Sequence, residues 1–305
     1  MTMKITIVSS HGGPPEIGIA AKGKVFTAST SFEYVHQKAN GAGTIALMSL
    51  ILYPDLLEKF NREALLNGVQ RDINCVTLLP PVPDASRPIF CVGKNYHDHV
   101  AEGARAGEAK DTPKSPIFFT KIASNAIGTD APIISWRETA EIDYEAELVV
   151  ILKKRVKNIL PSQVKEAVFG YTLLNDVTAR DLQRKHNQWF KGKNLDTFCP
   201  VGPWIVTADE IEWPPHLNLT LAVNGVKRQN LFTKDMIFDI AAVVSELSKG
   251  MTLEPGDMIS TGTGAGCAFG MEKPEWLKPG DVVEIRSEGI GVLRNYVLEP
   301  RGESD

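Results

Sequence analysis

The sequence predicts an α+β protein that is mainly β: a small N-terminal α+β module followed by a larger domain built on mixed sheet. Three observations predict it. Nine short segments rich in β-branched and aromatic residues, bounded by Gly, Pro, Asn or Asp, read as strands beyond residue 86. They do not alternate regularly with helical patterns, which argues against a doubly wound parallel sheet. Pro80-Pro81-Val82-Pro83 is a stiff extended segment that neither continues a helix nor serves as a central strand, so the boundary between a module at 1–80 and a domain at 86–300 is placed there.

In chain order, the first eighty residues read as short strands around Gly and Pro turns, with helical stretches near Thr44–Ile51 and Asp55–Leu66. The later strands are expected at Ile89–Gly93, Ile117–Thr120, Tyr144–Leu152, Gly170–Asn175, Trp204–Thr207, Leu217–Val223, Met258–Thr261, Val282–Ile285 and Gly291–Val297. Leu217, Leu219, Leu221 and Val223 alternate with small or polar residues, and Asn224-Gly225 follows, a strong hairpin signal. Two helices are expected, one over about Thr178–Phe190 and one from Lys234 to Ser248 with Thr233 as N-cap and Gly250 past its end.

The chain has 305 residues, 43% apolar and 23% charged, which fits an ordinary folded protein. A net charge of −4, from 33 basic and 37 acidic residues, argues against a nucleic-acid partner or a basic membrane-surface protein. The longest nearly apolar run, Ile45–Tyr53, covers nine residues, about half of what a spanning helix needs, so no membrane partner is expected. The N-terminus alternates like a strand and lacks a signal peptide's apolar segment, which reads as a cytoplasmic protein. Cys75, Cys91, Cys199 and Cys267 are widely spaced and read as reduced, mostly buried thiols.

The acids are grouped rather than scattered. In a strand over Asp143–Leu152, alternate residues share a face, so Asp143, Glu145 and Glu147 would point the same way and repel one another unless solvent or a cation compensates. Hard oxygen donors of this kind suit Mg²⁺, Mn²⁺ or Ca²⁺, and a solvated strand end is the plainer alternative. Asp176 ends a strand just before a helix and reads either as an N-cap or as a third metal ligand. His99 and Glu102 are spaced i, i+3, so on a helical turn the carboxylate can orient the imidazole as a general base. The small and charged segment Gly103–Asp111 that follows is a candidate mobile lid or an ordinary surface loop. Lys193, beside a glycine and ahead of an extended segment, could present positive charge to an oxyanion. Ser260–Gly266 resembles a backbone anion nest but lacks the P-loop pattern, so nucleotide binding is rejected.

Taken in order, Gly93-Lys94-Asn95-Tyr96 with His99 and Glu102, Phe119-Thr120-Lys121, Asp143–Leu148, Asn175-Asp176 with Ala179-Arg180-Asp181 and Gln183, Lys193 with Asp196-Thr197-Phe198, and Gly262-Thr263-Gly264 resemble the fumarylacetoacetate hydrolase family. The resemblance implies a mixed β-sheet roll, a homodimer, and one Mg²⁺ or Mn²⁺ held by Glu145, Glu147 and Asp176. Asp143 is left in a supporting role. It also implies His99 and Glu102 as a catalytic pair on a closing segment, Lys193 as electrostatic stabiliser, and Gln183 and Thr263 near the substrate. Lys94 and Tyr96 are placed with them as substrate contacts, and His97 and Lys94 are expected to tune specificity. The implied substrate is a small 2-oxo or diketo acid. Hydrolysis of a C–C bond in an acylpyruvate, through a metal-stabilised enolate and an activated water, is the leading expectation. A lyase or isomerase on the same scaffold is the alternative: oxaloacetate decarboxylase, 2-oxo-acid hydratase or enol–keto isomerase.

Overall fold

A computed structural model describes residues 2–10, 12–27, 43–82, 84–107 and 111–300. Pro83 of the boundary segment and residues 108–110 of the expected lid therefore lie outside the described residues.

The N-terminal part contributes β1 (Lys4–Ser9), β2 (Glu16–Ala21) and β3 (Lys24–Thr27), helices α1 (Gly43–Leu52) and α2 (Pro54–Asn67), then β4 (Val69–Asp72) and β5 (Thr77–Leu79). There follow β6 (Ile89–Gly93), α3 (His97–Arg105), β7 (Ile117–Lys121), β8 (Ala126–Ile127), β9 (Pro132–Ile134), β10 (Ile142–Asp143), β11 (Ala146–Leu152), β12 (Val168–Asn175) and β13 (Thr178–Ala179). Helices α4 (Arg180–His186) and α5 (Trp189–Lys193) lead into β14 (Cys199–Thr207), β15 (Asn218–Val223) and β16 (Val226–Phe232). The chain closes with α6 (Ile240–Leu247), β17 (Met258–Ser260), β18 (Val282–Ser287) and β19 (Gly291–Leu298).

The architecture is α+β and mainly β, as the sequence predicts. One large mixed sheet runs β4-β3-β2-β1-β14-β12-β11-β17-β6-β7, with β5 added at β1 and β8 at β14. A five-stranded sheet, β16-β15-β18-β19-β9, packs against it, and β10 and β13 form a separate pair. The N-terminal strands join the large sheet directly, through Lys4 opposite Val206 and Ile5 opposite Ile205.

Strand β11 shows why this core forms. Its apolar run is buried on both faces, a pattern typical of a central strand. Leu148, Val150 and Leu152 face the core shared with the five-stranded sheet, while Val149 and Ile151 face the core beneath α1 and α2. The Asn224-Gly225 hairpin forms as expected between β15 and β16, with both turn residues at positive φ.

Both expected helices are shorter than their sequence patterns. Over 178–190, Thr178 and Ala179 are instead recruited as a strand opposite Asp143 and Ile142, and Asn187 at φ 54° ends α4 before α5 begins. Over 234–248, Thr233–Asp235 forms a 3₁₀ turn, and the helix starts at Ile240 with the Asp239 carboxylate accepting from the Ala242 N–H. The reason is tertiary: Met236 bridges to Tyr96, and Asn95 binds the Ile237 and Phe238 N–H groups through its carbonyl and side-chain oxygen. That pairing holds the chain extended where local propensity would have coiled it.

Candidate metal centre and proton-transfer pair

Strands β11 and β12 are antiparallel neighbours with Ala146 opposite Asn175, so the residues just outside that register, Glu145 and Asp176, leave the sheet side by side. Two bonds fix them: Glu145 N–H to Asn175 Oδ1 at 3.0 Å and Asp176 N–H to the Glu145 carbonyl at 2.9 Å. Glu147 projects toward the end of β17, where the Ser260 hydroxyl (2.5 Å) and the Gly262 N–H (3.1 Å) donate to its Oε2. One oxygen from each of Glu145, Glu147 and Asp176 falls within 4.8 Å of the others, and all three residues are buried.

Asp143 does not join them. The chain breaks from strand geometry at Tyr144 and Glu145, so the continuous strand expected from Tyr144 starts only at Ala146. Asp143 turns instead to Arg180 Nε (2.9 Å) and to the Ala268 and Phe269 N–H groups (2.7 and 3.2 Å).

Three buried cations surround the carboxylates. Lys193 Nζ donates to Glu145 Oε2 and to Asp176 Oδ2, both at 2.7 Å. Lys121 Nζ donates to Asp176 Oδ1 at 2.7 Å and to two backbone carbonyls. Arg180 bridges Asp143 and Glu145, reaching Glu145 Oε1 at 2.5 Å, and lies over the Phe269 ring at 4.3 Å. Burial alone would push the Glu145 carboxyl up, but Lys193 and Arg180 outweigh it and hold the group well below the usual carboxylate range. Among the described residues, Glu147 makes no salt bridge. Burial, with the neighbouring Asp176 and Glu145 charges, pushes its carboxyl up to about 8. Burial opposes the Lys193 charge, but Asp176 and Glu145 prevail and keep its ammonium firmly protonated.

Across the cavity, His99 and Glu102 lie on one face of α3 with Nδ1 3.2 Å from Oε2, the geometry expected from their spacing. The other carboxylate oxygen accepts the Gly266 N–H at 2.8 Å. The glycine-rich segment after β17 is thus a nest for the protein's own carboxylates: Gly262 serves Glu147 and Gly266 serves Glu102.

A cavity lies between these groups. Lys94, His99, Glu145, Glu147, Gln183, Lys193 and Thr263 line it, together with Phe119, Arg180, Trp189 and Phe269. A wider outer cavity shares Arg180, Gln183, Trp189 and Phe269 with it. Of the residues singled out from the sequence, Asp176 sits behind this wall and Glu102 behind His99. Tyr96 is buried in the core away from the lining, and His97 is exposed at the start of α3. Gly192 lets α5 carry Lys193 inward, since a Cβ there would meet the Ala179 carbonyl at 2.7 Å.

The sequence patterns assign no role to Lys121 or Arg180, although both stand inside the motifs that carry the family resemblance, nor to Gln229. Gln229 accepts the Ala146 N–H and donates to Thr263 Oγ1 and the Gly264 carbonyl, tying β11 to the glycine-rich loop. The repulsion among Asp143, Glu145 and Glu147 was itself the available signal that buried cations had to be nearby.

The family profile described as fumarylacetoacetate (FAA) hydrolase C-terminal matches residues 88–298. The chain belongs to the fumarylacetoacetate hydrolase family. It is 44% identical over 233 residues, 76% of each chain, to the oxaloacetate tautomerase YisK of Bacillus subtilis. Among solved structures it resembles a fumarylacetoacetate hydrolase from Exiguobacterium antarcticum (37% identity, TM-score 0.79, covering 98% of this chain and 100% of the other). It also resembles a maleylpyruvate hydrolase from Sphingobium sp. SYK-6, solved with manganese(II) and pyruvate (26% identity, TM-score 0.77, covering 98% and 100%).

Proposed function

We propose that this family member is a divalent-metal-dependent enzyme that interconverts the enol and keto forms of a small 2-oxo dicarboxylic acid of the oxaloacetate type. The observation that carries the reading is the placement of one imidazole, with Nδ1 committed to Glu102, across a small cavity from Glu145 and Glu147, on which Asp176 converges from behind the wall. The name of the 44% identical relative supports it and moves isomerisation ahead of C–C hydrolysis, the reverse of the order expected from the sequence.

The donor set fits a hard dication. Among the described residues, the buried carboxylates of Asp143, Glu145, Glu147 and Asp176 meet three buried cations, and Glu147 is the one of the four that makes no salt bridge. Glu145, Glu147 and Asp176 would hold Mg²⁺ or Mn²⁺, which when bound polarises the 2-oxo group and acidifies the adjacent carbon. His99 Nε2 then takes a proton from that carbon or returns it, and Glu102 stabilises the imidazolium. Lys193, held protonated, presents positive charge to the oxygen that becomes anionic. The four carboxylates and three buried cations leave one negative charge, which Lys94 at the cavity wall and a bound dication would turn to the positive sign that an anionic substrate requires. One proton moves between carbon and oxygen, and no water is consumed.

The test supplies enol-rich oxaloacetate with Mg²⁺ or Mn²⁺ and follows loss of the enol absorbance, with pyruvate release and acetylpyruvate cleavage measured in parallel. Accelerated ketonisation, lost with EDTA and reduced roughly 10²–10⁴-fold in His99→Ala, is the expected result. Cleavage of acetylpyruvate without accelerated ketonisation would replace it with the hydrolase reading. One observation favours that second reading: the outer cavity adjoins the inner one at Gln183 and Trp189, on the side where a longer acyl arm would extend.

Metal affinity should depend on pH. Below about 8 the Glu147 carboxyl of the metal-free protein carries a proton that the cation must displace. Affinity for Mn²⁺ is therefore expected to rise roughly tenfold per pH unit up to about 8 and to level off above it. Calorimetric titration between pH 6 and 9 checks this; a flat profile would contradict it.

A further inference from the structure

Beside the carboxylate triad lies a second cluster of different chemistry. The Cys267 thiol stands 3.9 Å from His99 Nδ1, which is 3.2 Å from Glu102 Oε2, and one donor atom from each of the three residues falls within 4.8 Å of the others. All three side chains are buried. We propose that His99, Glu102 and Cys267 form a binding site for a thiophilic dication such as Zn²⁺, whose occupation switches the enzyme off.

The spacing suits such an ion. Zinc bond lengths of about 2.0–2.3 Å in a tetrahedron put nitrogen and oxygen donors ~3.3 Å apart, and nitrogen and sulfur donors ~3.6 Å apart. The observed 3.2 and 3.9 Å lie within a few tenths of an ångström of these separations. The donors are also held in place by their surroundings. The Gly266 N–H fixes Glu102, Gln229 Nε2 lies 3.5 Å from the Cys267 sulfur, and a Cβ at Gly270 would stand 2.0 Å from Glu102 Cγ, so the loop is packed onto this carboxylate.

Donor chemistry sorts the metals. A sulfur and an imidazole select zinc-like ions, whereas the all-oxygen triad suits Mg²⁺ and Mn²⁺. In the metal-free protein, burial first and then the Asp143, Glu145 and Glu102 charges hold the Cys267 thiol protonated, and a coordinating dication reverses that balance. On binding, the thiol proton leaves to solvent and sulfur forms the metal bond. The imidazole moves its proton from Nδ1 to Nε2 as Nδ1 takes the metal. Nε2 then faces the cavity as an N–H and no longer accepts a proton from substrate.

The test uses full-length protein carrying Cys75→Ser, which removes the exposed thiol, with the carboxylate triad saturated by Mg²⁺. Titration with Co²⁺ is expected to produce a thiolate-to-cobalt charge-transfer band for one further equivalent, bleached by Zn²⁺, and Zn²⁺ is expected to inhibit in step with that occupancy. Cys267→Ser and Cys267→Ala should each abolish the band and weaken Zn²⁺ inhibition, relative to the variant's own uninhibited rate, by roughly tenfold or more. Glu102→Gln, which retains the thiol, should keep the band at weaker affinity. A parent protein without the band, a band that survives in a folded Cys267 variant, or unchanged affinity in Glu102→Gln would overturn the proposal.

Discussion

Glu147→Gln should leave the metal-free protein folded and more heat-resistant while removing its metal-dependent activity. The two effects have opposite signs because the carboxylate is costly to the empty fold. It is buried beside Asp176 and Glu145, makes no salt bridge among the described residues, and is pushed up to about 8 as a result. Glutamine keeps the shape and an oxygen to accept from Ser260 and Gly262, and is neutral without binding a proton, whereas Glu147 must either take up a proton or ionise in a buried site beside two other carboxylates. The expected gain is about 1–3 kcal/mol, read as a higher Tm in EDTA. The expected loss is roughly 100-fold or more in Mn²⁺ affinity and in turnover at fixed metal concentration. A variant that melted lower than the parent without metal would show that Glu147 is already satisfied by the groups around it.

Arg180→Met should act on the fold first. The guanidinium is buried, bridges Asp143 and Glu145, and stacks on Phe269, so methionine leaves two buried carboxylates without that partner. Breaking one side of a buried ion pair costs about 3–5 kcal/mol, and denaturant unfolding should register a loss of that size. Adding Asp143→Leu should restore part of it, because that second change removes one of the stranded charges; a double-mutant cycle measures the coupling. Additive losses would mean that Arg180 contributes packing alone. Arg180→Lys should recover little, since one ammonium cannot reproduce the forked contact to two carboxylates.

These two residues mark the limits of what was legible in the sequence. Glu145 and Glu147 were legible because period-two spacing in an apolar strand is local information, and His99 with Glu102 because i, i+3 spacing on a helix is too. The compensation was not: Lys121 and Arg180 reach the acids from segments tens of residues away, and nothing in local spacing says which of 33 basic residues will be buried. The fold divides similarly. Most strands stood where alternation and turn residues placed them, because both signals are short-range. The helix expected from Lys234 failed because Asn95, over 140 residues earlier, holds Ile237 and Phe238 extended, and the Tyr144 strand began late because Asp143 is drawn away to Arg180. Gln229 carried no signal at all; a buried amide becomes meaningful only when Ala146, Thr263 and Gly264 surround it.

The pairing of β1 with the large sheet bears on how the chain is made. One edge of β1 is filled by β2, which is adjacent in sequence. Its other edge is divided: Ile7–Ser9 pair with β5, available once about eighty residues exist, but Lys4 and Ile5 wait for Val206 and Ile205 of β14. On a ribosome adding about 5–20 residues per second, that stretch of backbone stays open for roughly ten seconds or more after β2 could have paired. Over that interval the nascent chain exposes an unpaired strand edge, the kind of surface that chaperones hold and that aggregation exploits. Completion of the sheet is therefore tied to synthesis of its second half, and premature termination before β14 would release a chain in which Lys4 and Ile5 lack their partners on that edge.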